Sequence, residues 1–238
     1  MKIAENIIYF EEIDSTNAYA KEIAKQQQGN FVVWACRQSA GQGRLKRAWE
    51  SPAGGLYFTM CFRADISPDK GPMLTLYTAT AIYLALKQHG LEADIKWPND
   101  IYVNGKKLAG ILTEMIISGS QITVIIGVGL NIKAVSVPDA ISLEQLDIKT
   151  DAENCMREII AQCETVFKAY FNQQGDEYLT IYKNRLITKN KIVKAHLVNG
   201  TVEGMALGID DIGRLLIQTA QGVIPVAAGD VTLKEKGL

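Results

Sequence analysis

The chain has 238 residues, with 25 basic and 26 acidic side chains and a formal net charge of −1 at pH 7. Its hydrophobic content of 47% is ordinary for a folded domain and excludes a mainly disordered chain. The near-neutral total also excludes whole-molecule attraction to nucleic acid or to an anionic membrane, because it creates no long-range field of either sign.

The cysteines indicate neither a metal centre nor a disulfide framework. No C-x-x-C pair occurs, and only two histidines accompany the four cysteines, so a zinc site is not expected. We expect Cys36, Cys61, Cys155 and Cys163 to be reduced thiols, mostly buried.

Neither a signal peptide nor a membrane span is predicted. The N-terminal segment MKIAENIIYFEE is acidic and lacks a long apolar run. No apolar stretch approaches the roughly 18–20 residues needed to cross a bilayer. We therefore expect a cytoplasmic protein.

The first elements are strands with a helix between them. Residues 6–13 and 31–38 are typical of strands. The polar cluster 14–16, Asp-Ser-Thr, is placed to cap a helix of about three turns. A polar, glycine-rich stretch follows at 39–55, before a strand at 56–63, and loops of this length inside compact domains are often functional.

The central region predicts a buried helix and then antiparallel strands. Residues 72–88 carry apolar side chains at helical spacing, with proline at the start and Gly90 just past the end. Asn104-Gly105 is the strongest short hairpin signal and separates ADIKWPNDIYV from KKLAGILTEMII. Residues 121–132 continue the strand pattern.

The C-terminal part predicts two helices and a separate small barrel. Residues 151–173 and 176–187 are typical of helices. After Thr188, five short apolar segments follow at close spacing, with turns at Asn199-Gly200, Asp211-Ile212-Gly213 and Gln221-Gly222. This pattern predicts two domains, residues 1–187 and 188–238.

The loop GQGRLKRAW, residues 41–49, has the composition of an anion site. Between Arg37 and Glu50 the sequence carries four positive side chains and one negative. Glycines let a backbone approach a ligand closely, and guanidinium groups pair with phosphate or carboxylate oxygens. A solvated loop with no ligand is the alternative, since the segment is neither a Walker A sequence nor a dinucleotide fingerprint.

A second group of polar residues lies in KWPNDIYVNGKKLAGIL, residues 96–112. Lys96 and Lys107 fall on strands joined through a tight hairpin, so both ammonium groups can converge on one ligand if their faces agree. Asp100, after Pro98 and Asn99, supplies a hard oxygen of the type that Mg²⁺ prefers. The alternative is that Lys106 and Lys107 are ordinary edge-strand charges that discourage aggregation, and each residue taken singly favours this alternative.

These motifs together resemble those of the biotin–protein ligases. The matching segments are DSTN at 14–17, RQSAGQGRLKRAW at 37–49, KWPNDIYVNGKKLAGIL at 96–112 and IGVGLNI at 126–132. The resemblance implies an α+β fold, in which a mixed, mainly antiparallel sheet flanked by helices, like that of class II aminoacyl-tRNA synthetases, precedes a small SH3-like β-barrel. It also implies the monofunctional form, because no helix-turn-helix segment precedes DSTN, and no DNA partner is expected.

The resemblance implies a two-step reaction. Biotin and ATP form biotinyl-5′-AMP with the help of Mg²⁺, and the biotinyl group then passes to one lysine of the biotin carboxyl carrier domain of a biotin-dependent carboxylase. The family also leaves room for a homodimer. No enzyme nucleophile is required, which agrees with the absence of a Ser–His or Cys–His arrangement.

The resemblance also assigns residue roles. Catalytic roles fall to Arg44, Lys96, Asp100 and Lys107, with Asp100 also a magnesium ligand. Biotin-binding residues are Ser15, Thr16, Asn17, Gln38, Gly41, Gln42, Gly43, Arg44, Lys107, Gly110 and Gly127. ATP or adenylate contacts are assigned to Arg44, Arg47, Trp49, Asn99, Lys107 and Asn131.

One departure from the family loop, G-R-G-R-x-G-R, affects the expected chemistry. Gln42 stands in place of the first arginine, and Lys46 in place of the third glycine. Glutamine lacks a charged bidentate fork, so we expect a weaker hold on biotin or on the adenylate.

Two other functions stay open from the sequence. One is a lipoate or octanoate ligase or transferase on the related fold, against which the polar DSTN segment argues, because a fatty-acyl chain offers it no partner. The other is a non-catalytic biotin- or nucleotide-binding module, against which the joint presence of Arg44, Lys96, Asp100 and Lys107 argues.

Overall fold

The computed structural model describes residues 2–27, 29–197 and 200–233. Its larger sheet has seven strands in the order β1-β2-β3-β7-β6-β5-β4. Only β1 and β2 run parallel, and the other neighbours are antiparallel, which confirms the predicted mixed sheet. The strands are β1 (Ile7–Ile13), β2 (Phe31–Gln38), β3 (Leu56–Ala64), β4 (Asp94–Lys96), β5 (Asp100–Val103), β6 (Lys106–Ser118) and β7 (Gln121–Leu130).

Helices cover the two faces of this sheet unequally. They are α1 (Thr16–Ile23), α2 (Gly71–Gln88), α3 (Ala152–Phe171) and α4 (Asp176–Arg185). On one face, α2 and α3 pack over β3 and β6, burying side chains such as Phe58 and Phe62. Because α2 is enclosed by the sheet, α3 and α4, its residues are apolar almost all round rather than on one stripe.

Of the described helices, α1 alone lies on the opposite face. This helix packs on β2, β3 and β7 over a small cluster that includes Phe31, Val33 and Ile125. Ser15 caps it by accepting a hydrogen bond from the Ala18 backbone N–H, as the sequence predicts, and the helix is eight residues long, shorter than expected. The sheet surface beyond the N-terminus of α1 is therefore free to form a site.

The hairpin predicted at Asn104-Gly105 joins β5 to β6. Both turn residues have positive φ, 52° and 74°, as a type I′ turn requires. The turn fixes the register so that Tyr102 lies opposite Lys107, and Asp100 opposite Gly110. It thereby sets which face of the sheet receives the side chains of the KWPND and KLAGIL segments.

The C-terminal strands form a second antiparallel sheet, in the order β11-β10-β9-β8-β12. They are β8 (Ile192–Leu197), β9 (Gly200–Ile209), β10 (Leu215–Thr219), β11 (Gly222–Val226) and β12 (Asp230–Leu233). Part of the turn expected at Asn199-Gly200 and the last five positions, 234–238, lie outside the described residues. The domain boundary near Thr188 stays a prediction, because one apolar core runs from the first sheet into the second.

The two sheets meet at the loop between β9 and β10. The buried Trp97 donates from Nε1 to the carbonyl of Gly213 at 2.9 Å. A Cβ added to Gly213 would lie 2.8 Å from Leu76 and 2.8 Å from Met73, and its φ is +81°. The glycine therefore allows the loop to press against α2.

The described cysteines are free, with Cys61, Cys155 and Cys163 buried and Cys36 half-buried, as expected. Among the described helices, none combines the length and apolar character that crossing a membrane requires.

The Trp97–Gly213 hydrogen bond gives a first prediction. Trp97→Phe removes the donor and leaves a buried carbonyl unpaired, so we expect the free energy of unfolding to fall by about 2 kcal/mol in urea titrations. Trp34→Phe is the control, because Trp34 Nε1 has no hydrogen-bond partner among the described residues. Equal losses in the two variants would contradict the stabilising role of the bond.

Candidate active site

A patch without side chains lies at the centre of the open sheet face. Gly110 on β6 and Gly129 on β7 are opposite each other in register. The indole of Trp49 lies over both, since an added Cβ would be 2.5 Å from its Nε1 at Gly129 and 2.9 Å from its Cζ3 at Gly110. Only glycine at both positions lets the indole approach the sheet backbone this closely.

Gly127, two residues earlier on β7, also leaves room for a side chain that packs against the sheet backbone. A Cβ there would lie 2.1 Å from Oδ1 of Asn17, at the start of α1. Thr59 on β3 flanks Gly127 in register, and its Oγ1 lies 2.6 Å from the same Oδ1 atom. The glycine therefore brings the N-terminal turn of α1 into contact with the sheet.

Gln38, at the end of β2, connects α1 to the long loop. Its Oε1 accepts from the Thr16 backbone N–H at 2.8 Å and from the Thr16 hydroxyl at 3.1 Å. Its Nε2 donates to Ser51 Oγ at 2.9 Å, and Ser51 donates to the Trp49 carbonyl at 3.1 Å. Thr16 and Gln38 form the polar floor of the site, and one chain of hydrogen bonds links this floor to the end of the loop.

The loop at 41–49 is a narrow hairpin of its own. Trp49 N–H donates to the Gly41 carbonyl at 2.9 Å, and Gly43 N–H donates to the Arg47 carbonyl at 2.8 Å. At its tip, Leu45 and Lys46 have positive φ, 55° and 58°. Non-glycine residues adopt this region at a cost of about 1–2 kcal/mol each, and Lys46 occupies the position where the family motif has glycine.

Arg44 is the cation that this loop places deepest in the site. Its Nη1 donates to Oδ1 of Asn99 at 3.2 Å, and Asn99 in turn donates to the Ile111 carbonyl at 2.9 Å. Burial lowers the pKa of the Arg44 guanidinium, and the nearby Asp100 carboxylate partly opposes this effect. Among the described residues, no carboxylate comes within ion-pair distance of Arg44. An anionic ligand would relieve the cost of burying this charge.

Lys107 is held beside the indole. Its Nζ lies 2.8 Å from Oδ1 of Asp100 and 5.1 Å from the ring centroid of Trp49. The Lys107 backbone is hydrogen-bonded to the segment 139–141. The Asn131 side chain donates from Nδ2 to the Ile141 carbonyl of that segment at 3.0 Å. This pairing fixes where the lysine side chain enters the site.

Among the described residues that line the site, one comes from the second sheet. Asp230, at the start of β12, pairs with Arg47 of the loop at 2.5 Å. Because the side chain of Arg47 is 65% exposed, the pair contributes less than about 1 kcal/mol to stability. Its effect is to join the loop to the C-terminal sheet.

These groups enclose a cavity of about 170 Å³. It is lined by Ser15, Thr16, Asn17, Gln38, Gln42, Gly43, Arg44, Leu45, Arg47, Ala48, Trp49, Asn99, Asp100, Lys107, Gly110, Ile111, Leu112, Gly127, Val128, Gly129 and Asp230. One end is the polar turn of α1, and the other holds the cations. The cavity can therefore bind a small molecule with a hydrogen-bonding head and an anionic tail.

Three residues predicted for the site are not among those lining the cavity. The Lys96 ammonium lies 5.6 Å from the ring centroid of Tyr102, and the convergence of Lys96 and Lys107 on one ligand stays a prediction. Gly41 closes the base of the loop, because its carbonyl accepts from the Trp49 N–H at 2.9 Å. Asn131 is buried and ties backbone segments together through its amide.

Sequence reasoning missed Gly129, Thr59, Glu114 and Asp230. Gly129 repeats the spacing of Gly127 within IGVGLNI, and this was a usable signal. The other three residues, Thr59, Glu114 and Asp230, lie outside the loop at 41–49 and outside the segment 96–112. Only the tertiary structure brings them to the site. Within the described part of the chain, no three His, Cys, Asp or Glu side chains form a metal-binding group.

The glycine patch gives a second prediction. Gly129→Ala forces the Trp49 indole off the sheet, so we expect a loss of about 1–3 kcal/mol in stability and an altered near-UV circular dichroism spectrum. Gly43→Ala is the control, because the nearest atom to its added Cβ is 3.7 Å away and its φ is −102°. A variant at 129 that keeps both the stability and the spectrum would contradict the close contact.

Comparisons with known proteins agree with this geometry. Residues 9–131 match the model of the biotin/lipoate A/B protein ligase family, and residues 188–234 match the biotin protein ligase C-terminal domain. The bifunctional ligase/repressor BirA of Bacillus spizizenii is 36% identical, over 97% of this chain and 75% of its own. The biotin–[acetyl-CoA-carboxylase] ligase of Paracoccus denitrificans is 32% identical, over 90% of this chain and 95% of its own.

A solved structure shows the same fold. The biotin protein ligase of Aquifex aeolicus in complex with biotin and ATP superposes with a TM-score of 0.83 at 27% identity. The match covers 98% of this chain and 100% of that one. By its sequence matches over both parts and by its fold, this chain belongs to the biotin/lipoate A/B protein ligase family.

Proposed function

We propose that this protein is a biotin–protein ligase that activates biotin with ATP and transfers it to a lysine of a biotin carboxyl carrier domain. The observation that carries the proposal is the pairing, in one cavity, of a polar floor at Thr16 and Gln38 with the cations Arg44 and Lys107. The relatives named as biotin ligases, and the neighbour solved with biotin and ATP, support it. The use of ATP fits the expected cytoplasmic location.

In the first step, a carboxylate oxygen of biotin attacks the α-phosphorus of ATP. The new bond is the carboxyl–phosphate anhydride, and the bond from the α-phosphorus to the bridging oxygen breaks, releasing pyrophosphate. Negative charge grows on the phosphate oxygens, which Arg44 and Lys107 are placed to stabilise. The loop holds the two reactants together and so lowers the entropic part of the barrier.

In the second step, the carrier lysine amine attacks the anhydride carbonyl, and AMP leaves. No enzyme nucleophile takes part. The buried thiols agree with this, because burial raises the pKa of Cys61 and of Cys155 to about 12 and keeps both protonated at neutral pH.

The donor set near the phosphates fits a magnesium ion that arrives with ATP. Mg²⁺ is usually bound by one or two carboxylates together with substrate phosphates. Asp100 would hold it, with Asn99 alongside, and the ion would supply charge neutralisation for the phosphates. The Lys107 ammonium, which pairs with Asp100, would turn towards the ligand carboxylate and phosphate.

The related acyl ligases and transferases are the competing assignment. A lipoyl or octanoyl chain would leave the hydrogen-bonding groups of Ser15, Thr16 and Asn17 facing apolar carbon, which is costly. Incubation with ATP, Mg²⁺, a biotin carrier domain and either radiolabelled biotin or radiolabelled lipoate decides between them. We expect label on the carrier only with biotin. If biotin gives neither pyrophosphate nor labelled carrier, the proposal fails.

Lys107 gives a third prediction. Lys107→Ala removes a cation that faces the developing phosphate charge, so we expect biotin-dependent ATP–pyrophosphate exchange to fall by at least about a hundredfold. Lys106→Ala is the matched control, since Lys106 is the neighbouring residue and is exposed. Similar exchange rates in the two variants would show that Lys107 is not part of the site.

Gln42 gives a fourth prediction. Gln42→Arg restores a charged fork at a residue that lines the cavity, so we expect biotinyl-5′-AMP to dissociate about tenfold more slowly. Stopped-flow displacement of the adenylate measures this rate. Gln42→Met controls for the change in side-chain shape, and unchanged release from Gln42→Arg would mean that position 42 does not limit retention.

A further inference from the structure

A buried tyrosine of α4 is hydrogen-bonded to a turn that borders the site. Tyr182 is 0% exposed, and its hydroxyl donates to the carbonyl of Pro98 at 3.2 Å. Burial raises the pKa of this hydroxyl well above its usual value, so the group stays protonated and can donate at neutral pH. Tyr182 is not among the residues that line the cavity, so any effect that it has on the reaction is exerted through the turn.

The turn, residues 97–99, joins β4 to β5 and ends at the residue that holds Arg44. Asn99 Oδ1 accepts from Arg44 Nη1 at 3.2 Å. Asn99 is also tied to Ile111 on β6, whose carbonyl accepts from Asn99 Nδ2 at 2.9 Å and whose N–H donates to the Asn99 carbonyl at 3.0 Å. These bonds fix the side chain and the carbonyl of Asn99. The orientation of the peptide that precedes it, between Pro98 and Asn99, is left to other contacts.

The peptide between Pro98 and Asn99 depends on Tyr182. Within the described part of the chain, its carbonyl is paired with the Tyr182 hydroxyl, and its N–H has no hydrogen-bond acceptor. Without the hydroxyl, the carbonyl would face the carbon edge of an aromatic ring, which is unfavourable for a polar group. Rotation of the peptide relieves that contact, but it changes ψ of Pro98 and φ of Asn99 and so moves the Asn99 side chain.

A moved Asn99 side chain displaces the acceptor of Arg44. Under the proposed function, Arg44 stabilises negative charge on the phosphate oxygens. A displacement of about 1 Å, caused by a change away from the reacting atoms, can lower a rate by about a hundredfold. We propose that Tyr182 is a positioning residue, which sets the place of Arg44 through the peptide that precedes Asn99; this rests on the proposed function.

A double-mutant cycle with Tyr182→Phe and Asn99→Ala tests this route. We expect Tyr182→Phe to slow the single-turnover formation of biotinyl-5′-AMP about tenfold at saturating biotin and ATP, because Arg44 is no longer held against the phosphate. In the Asn99→Ala background, where Arg44 has already lost its acceptor, the same change should slow the step less than about twofold. The KM for biotin should stay within about threefold of wild type, because the ureido end of the cavity, at Thr16 and Gln38, is held by α1 and β2 and not by the turn.

Tyr77→Phe is the matched control. Tyr77 is also a buried tyrosine, and its hydroxyl donates to a backbone carbonyl away from the turn, that of Gly175, at 3.3 Å. Both Phe variants should lose a similar amount of stability in thermal unfolding, whereas only Tyr182→Phe should slow adenylate formation. If Tyr182→Phe is not folded, 4-methylphenylalanine at position 182 replaces it in the cycle, because its methyl group fills the place of the hydroxyl and cannot donate.

Three outcomes would overturn the proposal. The change at Tyr182 leaves the rate of adenylate formation at the wild-type value, or it slows the step by the same factor in the Asn99→Ala background, or Tyr77→Phe slows the step as much. Failure of wild type to form biotinyl-5′-AMP would instead count against the proposed function.

Discussion

The site depends on the absence of side chains at the centre of the larger sheet. Gly110, Gly127 and Gly129 leave the backbone of β6 and β7 bare, and this lets Trp49 and Asn17 pack within contact distance of it. A Cβ at any of the three would overlap one of these side chains. The cavity floor, the position of the loop and the placement of the α1 N-terminus all follow from this steric constraint.

Electrostatics then give the cavity two unlike ends. At one end, Lys107 is matched by Asp100, and Arg47 by Asp230, while the half-buried Arg44 is hydrogen-bonded, within the described part of the chain, to the neutral amide of Asn99. At the other end the groups are hydroxyls and amides with no net charge. A ligand with a urea head and a carboxylate tail would satisfy both ends, and under the proposed function Arg44 would face the anhydride phosphate.

Much of the fold and part of the site were predictable from local patterns. The hairpin at Asn104-Gly105 and the cap at Ser15 have local causes and are confirmed. Lys96, Gly41 and Asn131 were predicted for the site but are not among the residues that line the cavity. For Asn131 the reason is its depth, which is set by the backbone segments around it and not by local sequence. Gly129 was missed although its spacing from Gly127 was a usable signal, because the sequence does not show which side chain packs on a strand glycine.

The sequence by itself determined the element order, the mainly antiparallel character of the sheet and the small C-terminal unit, because periodicity and turn residues act over a few positions. It also determined which segments carry the polar and charged groups. Only the tertiary structure decided that Asp230 reaches the loop from the second sheet, and that Glu114 lies behind Asn17. Those contacts join residues far apart in the chain, and they depend on strand register and on how the two sheets meet.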